Sequence, residues 1–173
     1  IFYNNYIDHK MATFKEFWKW RKESKKPEPL SFPLAKNDPK FLQENRTQKT
    51  LTWIGHASFL IQVDGINILT DPHLTKRASP VVFAGPSRTT PPGLDIGDLP
   101  EIDVIVISHN HYDHLDYQTI LNITRKQINN QPLILVPLKL KKLLESFGAR
   151  NVKELGWWDT TSYKNLNIHA VPV

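Results

Sequence analysis

Asp103-Val104-Ile105-Val106-Ile107-Ser108-His109-Asn110-His111-Tyr112-Asp113-His114-Leu115-Asp116 is the stretch that decides the fold. Its first half is an unbroken apolar run, as expected of a strand buried on both faces inside a sheet. Its second half places three of the chain's seven histidines and an aspartate within six positions. Just past the end of a rigid strand the backbone turns, so neighbouring side chains converge. In open α/β sheets that carboxyl end is where ligands bind. Neutral imidazoles and a carboxylate suit zinc, manganese or iron in the divalent state. The chain contains no cysteine, which removes disulfides and thiolate ligands and leaves the redox compartment open. Four donors this close would crowd one ion and fit better as two pairs facing two metals about 3.5–4 Å apart. The opposing reading, histidines on a polar surface loop, leaves their clustering unexplained.

Toward the amino terminus, Leu51–Ile54, Ser58–Val63 and Ile66–Thr70 read as short strands, with Asp64-Gly65 as a tight hairpin turn. Residues 71–101 form a long connection rich in Pro and Gly, of the kind that covers a site or carries function. Toward the carboxyl terminus, Asp116 caps a helix expected to run to about Asn129, and Leu133–Val136 is another buried strand. Leu138–Phe147 reads as a helix closed by Gly148, and Val152–Leu155 and Leu166–Val173 as strands. A meander followed by alternating strands and helices predicts an α/β fold with a mixed sheet and helices packed on it.

The first segment differs from the rest. Residues 1–49 hold 11 Lys/Arg against 6 Asp/Glu, and residues 50–173 hold 11 against 11, so the whole net charge of +5 lies in the arm. Thr13 caps a candidate helix in which Phe14, Phe17, Trp18 and Arg21 share one face. Aromatics mixed with cations suit a helix lying on a membrane interface, or an arm clamped onto the main domain. The sequence divides into a basic, aromatic arm, 1–49, and a body, 50–173. It starts without a methionine and without a signal-peptide pattern, so it is expected to begin after a removed segment. No apolar run reaches the length of a membrane span, and a cytoplasmic or peripheral membrane location is expected.

Beyond the histidine cluster, Gly55-His56-Ala57-Ser58 and Thr70-Asp71-Pro72 join Ser108 to Asp116 in resembling the metallo-β-lactamase superfamily. Thr52-Trp53-Ile54-Gly55-His56, Arg77-Ala78-Ser79-Pro80, Pro91-Pro92-Gly93 and Trp157-Trp158 resemble its N-acylphosphatidylethanolamine-hydrolysing phospholipase D group. The resemblance implies an αβ/βα sandwich, of which Leu51–Val173 supplies roughly the first half. It assigns His109 and His111 to one metal and Asp113 and His114 to the other, with zinc the expected ion at both. It also implies that a water activated between the metals is the nucleophile, with Asp113 both binding metal and orienting it. Asp71 corresponds to an aspartate that orients a ligand histidine, though a turn-forming Asp before Pro72 fits the residues equally. His56 either lines the pocket or is a hydrogen-bonded structural histidine. His73 and Arg88 could meet an anionic substrate but read as surface residues, and Tyr112, His9 and His169 receive no role. No other substrate-binding residue is named.

The resemblance implies that two more histidines and a bridging aspartate follow the position of Val173. They are expected from a partner chain or from the remainder of a longer protein. The expected reaction is hydrolysis of a phosphodiester in an N-acylphosphatidylethanolamine-like phospholipid or another small anionic ester. The alternatives are a lactone, lactam or thioester hydrolase, or a half-domain inactive without its other part. Nucleic acid is disfavoured as substrate because the body carries no net positive charge.

Overall fold

The computed structural model describes residues 12–25 and 33–172. Two compact units are present, Ile1–Ser31 and Phe32–Val173.

In the first unit, α1 (Phe14–Glu23) starts at a capping box. The Thr13 side chain accepts from the Glu16 amide, and the Glu16 carboxylate accepts from the Thr13 amide at 2.7 Å. None of its residues is buried, and Phe14, Phe17, Trp18 and Trp20 are all exposed.

The second unit begins with α2 (Pro39–Glu44), capped by Asp38, and continues into β1 (Thr50–Gly55), β2 (Ser58–Val63) and β3 (Ile66–Thr70). These three strands pair antiparallel. Asp64 and Gly65 both take positive φ, 50° and 75°, the geometry that joins twisted strands by a two-residue turn. After the long connection come β4 (Val104–Val106), α3 (Tyr117–Lys126), β5 (Leu133–Pro137), α4 (Lys141–Ser146) and β6 (Val152–Leu155). β3 to β6 are parallel, giving one six-stranded mixed sheet in the order β1-β2-β3-β4-β5-β6. A hairpin of β7 (Thr160–Tyr163) and β8 (Leu166–His169) forms a second, two-stranded sheet.

One face of the large sheet, with Leu60, Leu69 and Ile105, packs on Ile120 and Ile123 of α3 and Leu144 of α4. The other face, with Ile66, Val104 and Leu135, packs on Tyr163, Leu166 and Ile168 of the hairpin.

Several boundaries differ from the sequence reading. Residues 33–49 belong with the body rather than with a basic arm. Leu42 joins the core, and its carbonyl accepts from the buried Gln62 side chain at 2.8 Å. α3 stops at Lys126 because Gln127 bonds outside the helix, accepting from the Ile102 amide at 3.0 Å and donating to the Ile102 carbonyl at 2.9 Å. β7 was not expected, since Thr160-Thr161-Ser162 has no apolar alternation. It is held by pairing with β8 and by burial of Thr161.

Candidate metal centre

Parallel pairing of Thr70 with Val106 sets the carboxyl ends of β3 and β4 side by side. Asp71, just beyond β3, donates its amide to the Val106 carbonyl at 2.9 Å and turns the chain with a φ of 35°. Its side chain is buried and faces Ser108 on the neighbouring strand end. Oδ1 accepts from the Ser108 amide at 2.7 Å, and Oδ2 accepts from the Ser108 hydroxyl at 2.7 Å. The same Oδ2 lies 2.9 Å from His114 Nδ1. A carboxylate can only accept, so Nδ1 carries the proton and the lone pair of His114 sits on Nε2. Ser108 passes the same logic on. Its proton is directed to Asp71, so its oxygen accepts from His109 Nδ1 at 2.9 Å, and His109 Nε2 also keeps a lone pair.

Two groups of donor atoms result. His109 Nε2 lies 3.0 Å from His111 Nδ1. Asp113 Oδ2 lies 3.0 Å from His56 Nε2 and 3.8 Å from His114 Nε2, and the two imidazole nitrogens are 3.3 Å apart. Donors sharing a tetrahedral ion at 2.0–2.1 Å stand about 3.3 Å from one another, so His56, Asp113 and His114 have the spacing of residues that could hold a divalent ion. The rings of His109 and His114, 4.0 Å between centroids, make the groups neighbours.

Local electrostatics favour the forms that bind metal. Burial, then the neighbouring imidazoles of His114 and His111, holds His109 below its usual value and so neutral. Burial pushes the Asp113 carboxyl up, but its own backbone amide and the imidazoles of His114, His56 and His111 outweigh that and hold it below the ordinary range. Metal ligation requires neutral imidazole and ionised carboxylate.

The structure thus brings His109, His111, Asp113 and His114 together with Asp71 behind them. His56 takes a more central place than a satisfied structural histidine would. It is half-exposed, sits in the turn between β1 and β2 at a φ of 52°, and meets both Asp113 and His114. Asp116 is the expected helix cap, accepting from the Gln118 amide at 3.1 Å. It also holds the long connection through the Thr75 amide at 3.1 Å.

His73 and Arg88, read from sequence as surface residues, line the cleft of about 1930 Å³ in front of His111 and Asp113. Tyr112 lines it as well. His73 is buried, and burial holds its imidazole below the usual value. The only signal for these two was their place in the long connection. His169, given no role, lies on β8, where its Nδ1 is 3.0 Å from the Thr160 hydroxyl. His9 is outside the described residues.

A mixed sheet with a histidine–aspartate cluster at its parallel strand ends defines an α/β fold carrying a candidate metal centre. Residues 50–173 match the family described as the beta-lactamase superfamily domain, and the chain belongs to the metallo-β-lactamase superfamily. It is similar to N-acyl-phosphatidylethanolamine-hydrolyzing phospholipase D 1 of Caenorhabditis elegans, 39% identical over 70% of this chain and 36% of that protein. It is also similar to N-acyl-phosphatidylethanolamine-hydrolyzing phospholipase D, mitochondrial, of Saccharomyces cerevisiae, 35% identical over 78% of this chain and 29% of that one. Among solved structures it is similar to CmlA, a diiron beta-hydroxylase from Streptomyces venezuelae. That match has 27% identity and a TM-score of 0.56, over 72% of this chain and 24% of the other. The chain spans about a third of the length of the curated relatives it matches. The resemblance and the fold expected from it are borne out, with roughly the first half of the fold present.

Proposed function

We propose that this chain carries the first part of a two-metal phosphodiesterase site acting on N-acylphosphatidylethanolamine-like phospholipids. The carrying observation is the pair of adjoining donor groups, His109 with His111 and Asp113 with His114, at the carboxyl ends of parallel strands. The choice of a phosphodiester rests on similarity to the two phospholipase D proteins. Zinc is the proposed metal, and iron is the alternative because the structurally similar CmlA is a diiron protein.

Ions held there would supply Lewis acidity at a phosphoryl oxygen and lower the pKa of an attacking water. The chain's own residues prepare the site for them. Asp71 fixes the His114 tautomer through Nδ1, and Ser108 fixes that of His109. Asp113 Oδ2, between His56 Nε2 and His114 Nε2, is the carboxylate oxygen placed to bind metal and to orient the nucleophile's proton. The exposed rings and chains of Trp53, Leu51 and Leu34 give the cleft an apolar wall suited to acyl chains.

The reading is tested by elemental analysis followed by assay on N-acylphosphatidylethanolamine vesicles. Bound zinc and release of phosphatidic acid, both lost in Asp113→Ala, support it. Metal uptake with cleavage of lactone, lactam or thioester but not phosphodiester replaces it with the second hydrolase reading. No metal uptake identifies a half-site completed by residues of a partner chain or of a longer protein.

A further inference from the structure

We propose that Arg88 is the phosphoryl-recognising residue of this cleft, binding the non-bridging oxygens of a substrate presented to the Asp113–His114 donors. The proposal rests on the phosphodiesterase reading and adds a residue to it.

Arg88 reaches the site because the long connection folds back on itself. The Arg88 amide donates to the Lys76 carbonyl at 2.9 Å, and the Ala78 amide donates to the Pro86 carbonyl at 3.0 Å. This closes a loop whose two ends lie together beside His73. From there the guanidinium turns inward. Nη1 donates to the His73 carbonyl, and Nε donates to the Thr90 carbonyl at 3.2 Å. Both contacts use backbone oxygens, so they orient the group without neutralising it.

Nη2 is different. It lies against Gly55, so closely that a Cβ there would stand 2.6 Å from it. Gly55 also has a φ of 139°, which side chains rarely adopt, so its conformation calls for glycine, and a methyl there would displace the guanidinium. The next residue is His56, whose ring contacts Asp113. Among the described residues, Nη2 has no hydrogen-bond acceptor, and no carboxylate lies within 4.0 Å of the guanidinium. Asp116, the carboxylate whose charge acts on Arg88, is already engaged by the Thr75 and Gln118 amides and the Thr119 hydroxyl.

A partly buried cation without a counter-ion is costly, and burial holds this guanidinium below its usual value. The cost is offset when an anion enters. Held by Nε and Nη1, the planar guanidinium aims Nη2 in a fixed direction for a charge-assisted hydrogen bond to a phosphoryl oxygen, whereas a lysine ammonium would act only as a point charge. Arg88 lines the same cleft as His56, His111 and Asp113.

The test uses the chain with metal removed by chelator, so that anion binding reports on protein groups alone. Inorganic phosphate and dimethyl phosphate are titrated separately while the amide resonances of Gly55 and His56 and the Arg88 Nε signal are followed. Saturable shifts are expected with both. Binding should weaken about tenfold in Arg88→Gln and less in Arg88→Lys, the loss expected for a charge-assisted hydrogen bond. Response to inorganic phosphate alone would limit the site to free phosphate and overturn the substrate role.

Gly55→Ala, which drives a methyl into the guanidinium, should weaken binding like Arg88→Gln and keeps the test decisive if Arg88→Gln does not fold. Equal affinity in wild type and in the folded variants overturns the proposal. In metal-loaded protein, Arg88→Gln should raise KM for a phosphodiester and leave KM for a neutral ester unchanged. Phosphodiester cleavage with an unaltered KM sinks the role of Arg88 alone. Phosphate binding at Arg88 with cleavage of a neutral ester but not of a phosphodiester sinks the phosphodiesterase reading alone.

Discussion

Asp71 and Asp103 lie at opposite ends of the same pair of parallel strands and are held in nearly the same way. Asp71 follows β3 and accepts from the amide and hydroxyl of Ser108 beyond β4. Asp103 precedes β4 and accepts from the Asn67 amide at the start of β3 at 2.9 Å. The difference is the remaining partner. Asp103 is closed off by Lys164 Nζ at 2.9 Å and the Tyr163 hydroxyl at 3.2 Å, so its charge is neutralised by the β7–β8 hairpin. Asp71 instead engages an imidazole whose far nitrogen remains available. One aspartate ends in a structural lock. The other ends in a donor atom, because a histidine, unlike a lysine, can hold a carboxylate with one nitrogen and a metal with the other.

Substitutions at each end should separate the two roles. The largest effect is expected from Asp71→Ala, which removes the acceptor of His114 Nδ1 and strands the Ser108 amide. Zinc affinity, measured by competition with a chelator, should fall about 10–100-fold. Stability in urea should fall by about 1–3 kcal/mol. Retention of full zinc affinity would show that the contact with Asp71 does not orient His114.

Asp103→Asn should leave zinc affinity unchanged and lower stability by about 1 kcal/mol at neutral pH. Its loss should depend on pH with a definite sign. Burial pushes the Asp103 carboxyl up, but the Asn67 amide and Lys164 outweigh it and set the value below the usual 3.8. A depressed folded value gives stability that is present above the unfolded value and is lost as pH falls through the folded one. The gap in melting temperature between wild type and Asp103→Asn should therefore close below about pH 4, since the unfolded value is that of an ordinary carboxylate. A gap independent of pH would mean that charge plays no part in the lock.

The smallest effects are expected farther from each carboxylate. Tyr163→Phe, which removes one of several bonds to Asp103, should cost about 0.5–1 kcal/mol by urea denaturation and leave metal binding intact. At the other end, His56→Ala should weaken zinc binding by less than Asp71→Ala. The His56 ring meets Asp113 from a half-exposed turn rather than from a buried strand end. An effect as large as that of Asp71→Ala would put His56 on a par with His114 in holding the ion.

The same two aspartates show what was legible in the sequence. Asp71 could be singled out because it closes a strand before a proline and resembles a known motif, yet a turn-forming residue fitted those facts equally well. Asp103 gave no signal at all. Its partners lie 36, 60 and 61 residues away, and no local pattern encodes separations of that size. Arg88 was a similar case. Its loop position was visible, but its approach to Gly55 depends on how residues 76–88 close on themselves.

The sequence by itself determined the mixed α/β fold, because strand and helix periodicities and the Asp64-Gly65 turn are local properties. It also determined the donor chemistry, because His109 to His114 lie within six residues at a strand end and no cysteine competes with them. Only the tertiary structure decided which nitrogen of His109 and His114 keeps a lone pair and that His56 joins the cluster. It also decided that a half-buried guanidinium stands beside them without a counter-ion among the described residues. Those features depend on strand register and loop closure, which bring distant residues to within hydrogen-bonding distance.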